Sequence, residues 1–302
     1  MTNNVLSLTS AINRSRIVPF RTTGAGLPLF CFPGAGGDAD IFKHMAPALP
    51  EGRPVYAIDM ESLCHVKDGF TIEQLAPLYL DVIRGIQKNG PYNFCGYSFG
   101  GLLAYEMAIR LIDEGDSADL VALLDAANPA MLSNLSEAEA AQFHKTYLAD
   151  RLKRYAVQLM RGDIKTFTKR GVAFIATRVG RFVMPAVKSG FRIAKLPLPE
   201  IVRSNDPGFL RAWKAYVPKR YTKDLVVFRV QDRGPEHDSD QSMGWDACVG
   251  GGVQIHTVPG GHVDMMTMPS VRVIAEKLST YLDNGSQQKN SVDPFESLNG
   301  FP

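Results

Sequence analysis

The sequence predicts an α/β protein: a mostly parallel central sheet with helices on both faces and a large helical insertion. Three observations carry this. Short apolar runs at 27–32, 54–58, 92–95, 120–124, 224–230 and 253–258 alternate with stretches of helical spacing, the rhythm of strands joined by crossover helices. The runs 27–32 and 120–124 are continuous rather than alternating, as in strands buried on both faces. Between 132 and 215 the rhythm stops: helical stretches follow one another with no clear strand.

Composition narrows the class. The 302 residues are 45% hydrophobic, enough for one large domain or a domain with an insertion. A net charge of +2 carries no global signature of nucleic-acid binding. Cys31, Cys64, Cys95 and Cys248 form no CxxC pair, and Cys31 and Cys95 lie inside apolar runs. They read as buried thiols in a reducing compartment, so a cytoplasmic protein is expected. Residues 1–16 hold no long apolar segment of the signal-peptide kind. No apolar run approaches the roughly 20 residues of a membrane span, and no internal repeat is found.

Taken in order, residues 1–15 are polar and expected to be flexible. Residues 17–20 suit an edge strand, because Pro19 cannot donate to a ladder on that side. The run 27–32 leads into Pro33-Gly34-Ala35-Gly36-Gly37, a loop whose backbone can approach a ligand. A short helix over 41–49 and a strand over 54–58 follow. Thr71 and Gln74 make a capping box opening a helix to about 87, with Ile72, Leu75, Leu78, Tyr79, Val82 and Ile83 at helical spacing. Gly90-Pro91 breaks the chain before the next strand. The core is expected to span 16–131 and 216–283, with 132–215 as a helical lid over one edge of the sheet. The strand over 224–230 ends in Gln231-Asp232, and that over 253–258 ends in Pro259-Gly260-Gly261-His262. A helix over 269–282 closes the domain, and 284–302 are expected to be a disordered tail.

The stretch Gly96-Tyr97-Ser98-Phe99-Gly100-Gly101, between an apolar run and a helical pattern, is the nucleophile elbow of an α/β-hydrolase. The turn leaves no room for side chains at 96 and 100 and projects the Ser98 hydroxyl from the sheet. A serine hydroxyl is a poor nucleophile near neutral pH. It needs a base, and the base needs an orienting acid. His262, in a glycine-flanked loop after the last strand, is the expected base; the other five histidines lie before that loop, in a charged loop or inside a strand. The acid is Asp125, at the end of the run 120–124, or Asp232, one strand later; spacing leaves both open. The N–H groups of Ala35 and Phe99 are the expected oxyanion donors.

Further residues extend the pattern: Gly90-Pro91-Tyr92, Ala104-Tyr105-Glu106-Met107-Ala108, Leu123-Leu124-Asp125 with Pro129, Tyr216-Val217-Pro218 with Tyr221, and Gly244-Trp245. With the elbow, the 32–37 loop and Val258-Pro259-Gly260-Gly261-His262, they resemble the thioesterase domains that end nonribosomal peptide and polyketide synthases. The resemblance covers about 16–131 and 207–283. It implies an enzyme that takes an acyl or peptidyl chain from the phosphopantetheine thiol of a carrier protein, with no cofactor of its own, no metal and no nucleic acid. It also implies Asp125 as the acid. Stand-alone editing thioesterases resemble the same core but place their acid at the position of Asp232. A carboxylesterase on the same triad and a non-catalytic carrier-binding module are the other readings.

Two departures stand beside the resemblance. The insertion is longer than the family's usual one, and no carrier segment precedes residue 16, which is read as a free-standing protein or an excised terminal domain. Residues 145–220 carry 18 Lys and Arg against 4 Asp and Glu. Such a basic lid suits an acidic partner protein or a phosphate-bearing ligand. Apolar residues alternate with Arg178, Arg181, Lys188 and Arg192 over 171–194, yet membrane contact is not expected.

Overall fold

The computed structural model describes residues 2–13, 15–66, 69–133, 207–232, 240–262 and 264–288. Seven strands form one sheet: β1 (Ile17–Arg21), β2 (Leu29–Phe32), β3 (Val55–Ile58), β4 (Tyr92–Tyr97), β5 (Ala118–Leu124), β6 (Asp224–Val230) and β7 (Gly252–Val258), in the order β1-β3-β2-β4-β5-β6-β7. Every neighbouring pair is parallel except β1 with β3. β1 is an edge strand, which tolerates Pro19, and its register shifts between Pro19 and Arg21.

The described helices are α1 (Thr2–Ile12), α2 (Met45–Ala48), α3 (Ile72–Arg84), α4 (Phe99–Asp113), α5 (Pro129–Ser133), α6 (Pro207–Ala215) and α7 (Ser270–Gln288). They divide between the faces of the sheet. α1, α3, α4 and α6 pack on one face, around Phe32, Phe94, Leu103, Tyr105 and Trp245. α2 and α7 pack on the other, around Cys31, Cys95, Tyr97, Leu124 and Phe228. β4, wholly buried, lies at the centre of the sheet and runs into α4, whose residues 99–109 are all buried as well. The elbow therefore joins two buried elements at the centre of the sheet. Among the described residues no helix is long and apolar enough to cross a membrane.

The sequence reading needs four corrections. The N-terminus is not loose: Thr2–Ile12 is a helix, and Leu8, Ala11 and Ile12 bury a narrow stripe in the core. Of the other eight residues of the helix six are Ser, Thr or Asn, so the i, i+3, i+4 spacing of the stripe lies in a largely polar run. The short helix expected over 41–49 is a 3-10 turn (Ala39–Phe42) followed by α2. The closing helix reaches Gln288, into the segment expected to be a disordered tail; 289–302 lie outside the described residues. Finally, α6, assigned to the lid, packs on the core through Phe209 and Ala212. The rest of the expected lid, 134–206, lies outside the described residues.

The capping box is present: the Gln74 N–H donates to Thr71 Oγ1 at 3.3 Å, and the Thr71 N–H donates to Gln74 Oε1 at 3.0 Å. The helix stops at Arg84, three residues short of the expected end.

Candidate active site

Ser98 links β4 to α4 with φ 53° and ψ −117°. A non-glycine residue in such a conformation costs on the order of 1–3 kcal/mol and persists only where its surroundings hold it. Two backbone bonds do so: the Ser98 N–H donates to the Leu124 carbonyl at 2.9 Å, and the Ser98 carbonyl accepts from the Gly101 N–H at 2.9 Å. The glycines follow from sterics. A Cβ on Gly96 would enter the Gly100 backbone, and one on Gly100 would enter the carbonyls of Phe32 and Pro33.

The same crowding brings the 33–37 loop to Ser98. A Cβ on Gly34 would lie 3.3 Å from Ser98 Cβ and 3.1 Å from the Tyr97 ring. Gly36 and Gly37 take φ of 99° and 76°, so the loop turns in a way open to glycine. Ala35 is the residue between Gly34 and these two. Phe99 is the first residue of α4, so its N–H has no acceptor within the helix. Its ring is held edge-on by Phe70 and by Phe209 of α6, at centroid distances of 6.3 and 4.9 Å.

Asp125 follows β5 directly, with φ 47°, and is 4% exposed. Its N–H donates to the Phe228 carbonyl at 2.7 Å, which ties it to β6. One carboxylate oxygen, Oδ1, accepts the Val230 N–H at 3.4 Å. The other, Oδ2, lies 2.6 Å from Nδ1 of His262. A carboxylate accepts only, so Nδ1 carries the proton and Nε2 is the free face of the ring.

The strand-end loop after Asp125 is fastened by residues far along the chain. The Trp245 indole N–H donates to the Ala126 carbonyl at 2.7 Å, the Asn128 side-chain amide donates to the Gly244 carbonyl at 2.8 Å, and the Asn128 N–H donates to the Met243 carbonyl at 3.0 Å. Gly244 faces Met131 and Asn128 so closely that a Cβ would stand 3.0 and 3.1 Å from theirs.

Ser98, Asp125 and His262 thus meet at one rim, with Ala35 and Phe99 beside Ser98. The Ser98 hydroxyl makes no hydrogen bond among the described residues; such contacts often tighten only around substrate. Asp232 reaches the same rim but differs. It is exposed, and the contact it makes there is its N–H donating to the Gly260 carbonyl at 3.2 Å. Of the other histidines, His256 lies inside β7, with Nε2 2.7 Å from the Tyr281 hydroxyl, and burial pushes it below the usual imidazole range. His144 and His237 lie outside the described residues.

Tyr97 is a site residue that the sequence reading passed over. Its hydroxyl donates to the His262 carbonyl at 2.9 Å, and its ring stacks on the imidazole at 4.9 Å between centroids. Its place just before Ser98 was the one available signal.

A mostly parallel sheet with a strained serine at its central strand-to-helix turn, and an Asp125–His262 pair on the strand-end loops at the same edge, defines an α/β-hydrolase. Comparison with known proteins narrows this to a family. The chain belongs to the thioesterase domain family, whose model matches residues 27–282. It is 26% identical over 287 residues to a non-reducing polyketide synthase of Pseudevernia furfuracea, covering 90% of this chain and 13% of that protein. It is 26% identical over 271 residues to CymA of Salinispora arenicola, a probable non-canonical nonribosomal peptide synthetase, covering 88% of this chain and 3% of that protein. The chain therefore spans a small fraction of these relatives' length. Among solved structures, the NocB thioesterase domain in covalent complex with a fluorophosphonate nocardicin G analog matches with a TM-score of 0.60 at 18% identity, covering 89% of this chain and 99% of that one. The Vlm2 thioesterase domain bound with a dodecadepsipeptide matches with a TM-score of 0.55 at 18% identity, covering 87% and 96%.

Proposed function

We propose that this domain releases an acyl or peptidyl chain from the phosphopantetheine thioester of a carrier protein, through an acyl-Ser98 intermediate, in polyketide or nonribosomal peptide synthesis. The observation that carries the reading is the 2.6 Å contact of His262 Nδ1 with buried Asp125 at the rim that holds Ser98. It leaves Nε2 as the base. In the first step His262 Nε2 takes the Ser98 proton while Oγ attacks the thioester carbonyl. The oxyanion is held by the Ala35 and Phe99 N–H groups, preorganised donors of the kind that stabilise such charge most effectively. Collapse breaks the C–S bond, and the imidazolium returns its proton to the departing sulfur. A water, or a nucleophile on the acyl chain itself, then gives its proton to His262 and attacks the ester carbonyl. The C–O bond to Ser98 breaks, Oγ recovers the proton, and an acid or a ring leaves.

The partner in this reading is an acyl or peptidyl carrier protein, and the pantetheine arrives with it, so the domain needs no cofactor of its own. The membership of relatives in polyketide and peptide synthases supports that partner. Cys31, Cys64, Cys95 and Cys248 form no disulfide, which supports a reducing, cytoplasmic setting. The bond from His262 to Asp125 favours a chain-releasing domain over the editing type, whose acid would be Asp232.

The test is Ser98→Ala assayed on acyl-pantetheine thioester and on a simple oxygen ester. We expect kcat/KM on the thioester to fall by a factor of about 10⁴ or more, by analogy with the loss of a triad nucleophile elsewhere. A fluorophosphonate should label wild type and spare the variant. Undiminished thioester turnover in Ser98→Ala would sink the reading, and a wild type faster on the simple ester would favour a carboxylesterase.

A further inference from the structure

Ser98 is held by the sheet, whereas His262 sits on a loop after β7. The ring has one edge contact, Nδ1 to Asp125. Among the described residues, the other hydrogen bond of His262 and its ring contact both come from one side chain. Tyr97 is 5% exposed and lies between the two loops that frame the site. Its hydroxyl holds the backbone of His262 at 2.9 Å, and its ring lies along the imidazole face at 4.9 Å and 25°. The same ring occupies the space at Gly34 where a Cβ would come within 3.1 Å of it. One rigid phenol, covalently next to the nucleophile, thus touches both the base loop and the oxyanion loop.

We infer that Tyr97 is a positioning residue that sets the distance and tilt of the His262 ring relative to Ser98, acting through a hydroxyl-to-backbone bond and a ring stack. The inference rests on the acyl-serine reading above and deepens it. Asp125 alone restrains the imidazole at one atom, about which the ring can swing. A hydrogen bond to the residue's own carbonyl and a face contact remove that swing. They also make the Gly34 position part of the same unit: the glycine is needed because the phenol is there.

The two contacts separate by substitution. Tyr97→Phe deletes the bond to the His262 carbonyl and keeps the stack. Tyr97→Leu deletes both. We expect kcat on a short acyl-pantetheine thioester to fall roughly fivefold to tenfold in Tyr97→Phe, the worth of one net hydrogen bond. We expect a fall of roughly a hundredfold in Tyr97→Leu, as for an ångström-scale misplacement. KM should stay within about twofold in both, because no substrate contact is removed. A second readout needs no turnover. The proton between Nδ1 and Asp125 should give a far-downfield NMR resonance in wild type and Tyr97→Phe, and a broadened or absent one in Tyr97→Leu. Wild-type kcat per folded molecule in both variants, or a loss that merely tracks the folded fraction with the resonance unchanged, overturns the inference. Should Tyr97→Leu fail to fold, kcat in Tyr97→Phe decides alone. The Ser98→Ala result judges the acyl-serine reading separately, and the resonance in that variant reports ring position whatever the chemistry is.

Discussion

β5 and β6 are neighbours in the sheet, and each delivers an aspartate to the same rim, yet the two strand ends are built differently. Asp125 follows β5 at φ 47°, 4% exposed, its carboxylate shared between the Val230 N–H and His262. Asp232 comes two residues after β6, exposed, bonded there through its backbone N–H to Gly260. Chain direction and rim are the same; enclosure is not. A carboxylate closed off from water has to find donors nearby, and its orientation is then fixed by them. One left in solvent is satisfied by water and has no reason to point anywhere. The enclosed position can therefore orient a base, and the exposed one cannot do so without moving.

The sharpest way to break that comparison is to neutralise the enclosed acid. Asp125→Asn keeps the shape and removes the charge. It also lets the amide nitrogen compete for Nδ1, which turns the imidazole to the wrong tautomer. The same change in a serine-protease triad lowers kcat by about 10⁴, and we expect a loss of that order here, read as kcat on acyl-pantetheine thioester with KM nearly unchanged. If Asp125→Asn lost less than about tenfold, the enclosed carboxylate would not be the acid, and the contrast between the two strand ends would lose its functional meaning.

A second enclosed acid shows that burial alone is not what matters. Glu106, on α4, is buried and accepts the Tyr216 hydroxyl at 2.8 Å. Burial raises it above the ordinary glutamate range, with Glu73 and Asp113 adding in the same direction and Tyr216 and Lys219 opposing. It faces a phenol, where Asp125 faces an imidazole and a backbone N–H. The sign follows from linkage. A carboxyl raised in the folded state holds its proton more tightly there than in the unfolded chain, so its stabilisation is complete below about 4.3, the ordinary glutamate value, and is lost as pH rises through the raised value. The thermal midpoint of wild type should therefore carry a component that declines with pH across that window. Glu106→Gln, which keeps an acceptor for Tyr216, should remove the component while leaving kcat within about threefold, since the group lies on the flank of α4 away from Ser98. An unchanged pH profile of the midpoint would mean that Glu106 titrates normally.

How much of this was legible in the sequence depends on what kind of constraint each residue answers to. Gly96 and Gly100 are written by sterics within five residues, so the elbow can be read directly. His262 can be read from its place after the last strand. The choice between Asp125 and Asp232 cannot, because both end strands, and what separates them is enclosure. The loop from Ala126 to Asn128 that follows Asp125 is fastened by Met243, Gly244 and Trp245, more than a hundred residues further along the chain. No local pattern encodes it, and the family resemblance supplied it instead. Tyr97 was missed for a related reason: its role lies in contacts with residues 34 and 262, which meet it only in the fold. α1 was missed because three buried side chains in a largely polar run give too narrow a stripe to stand out.

The smallest expected effect sharpens the comparison from the other side. Asp232→Asn removes a charge from an exposed residue whose backbone N–H, the part that bonds Gly260, is untouched. Exposed substitutions away from caps and buried pairs usually change stability by less than about 0.5 kcal/mol, and we expect both the thermal midpoint and kcat to stay near wild type. The double variant Asp125→Asn/Asp232→Asn then carries the decisive information. The Asp232 N–H bonds the Gly260 carbonyl in the His262 loop, so a shift of that loop is the route by which Asp232 would become a substitute acid. Were it doing so in Asp125→Asn, the residual activity of the single variant would fall again in the double variant, by a factor measurable in kcat. If Asp232 is only a solvated strand end, the two losses will be independent, and the double variant will match Asp125→Asn alone.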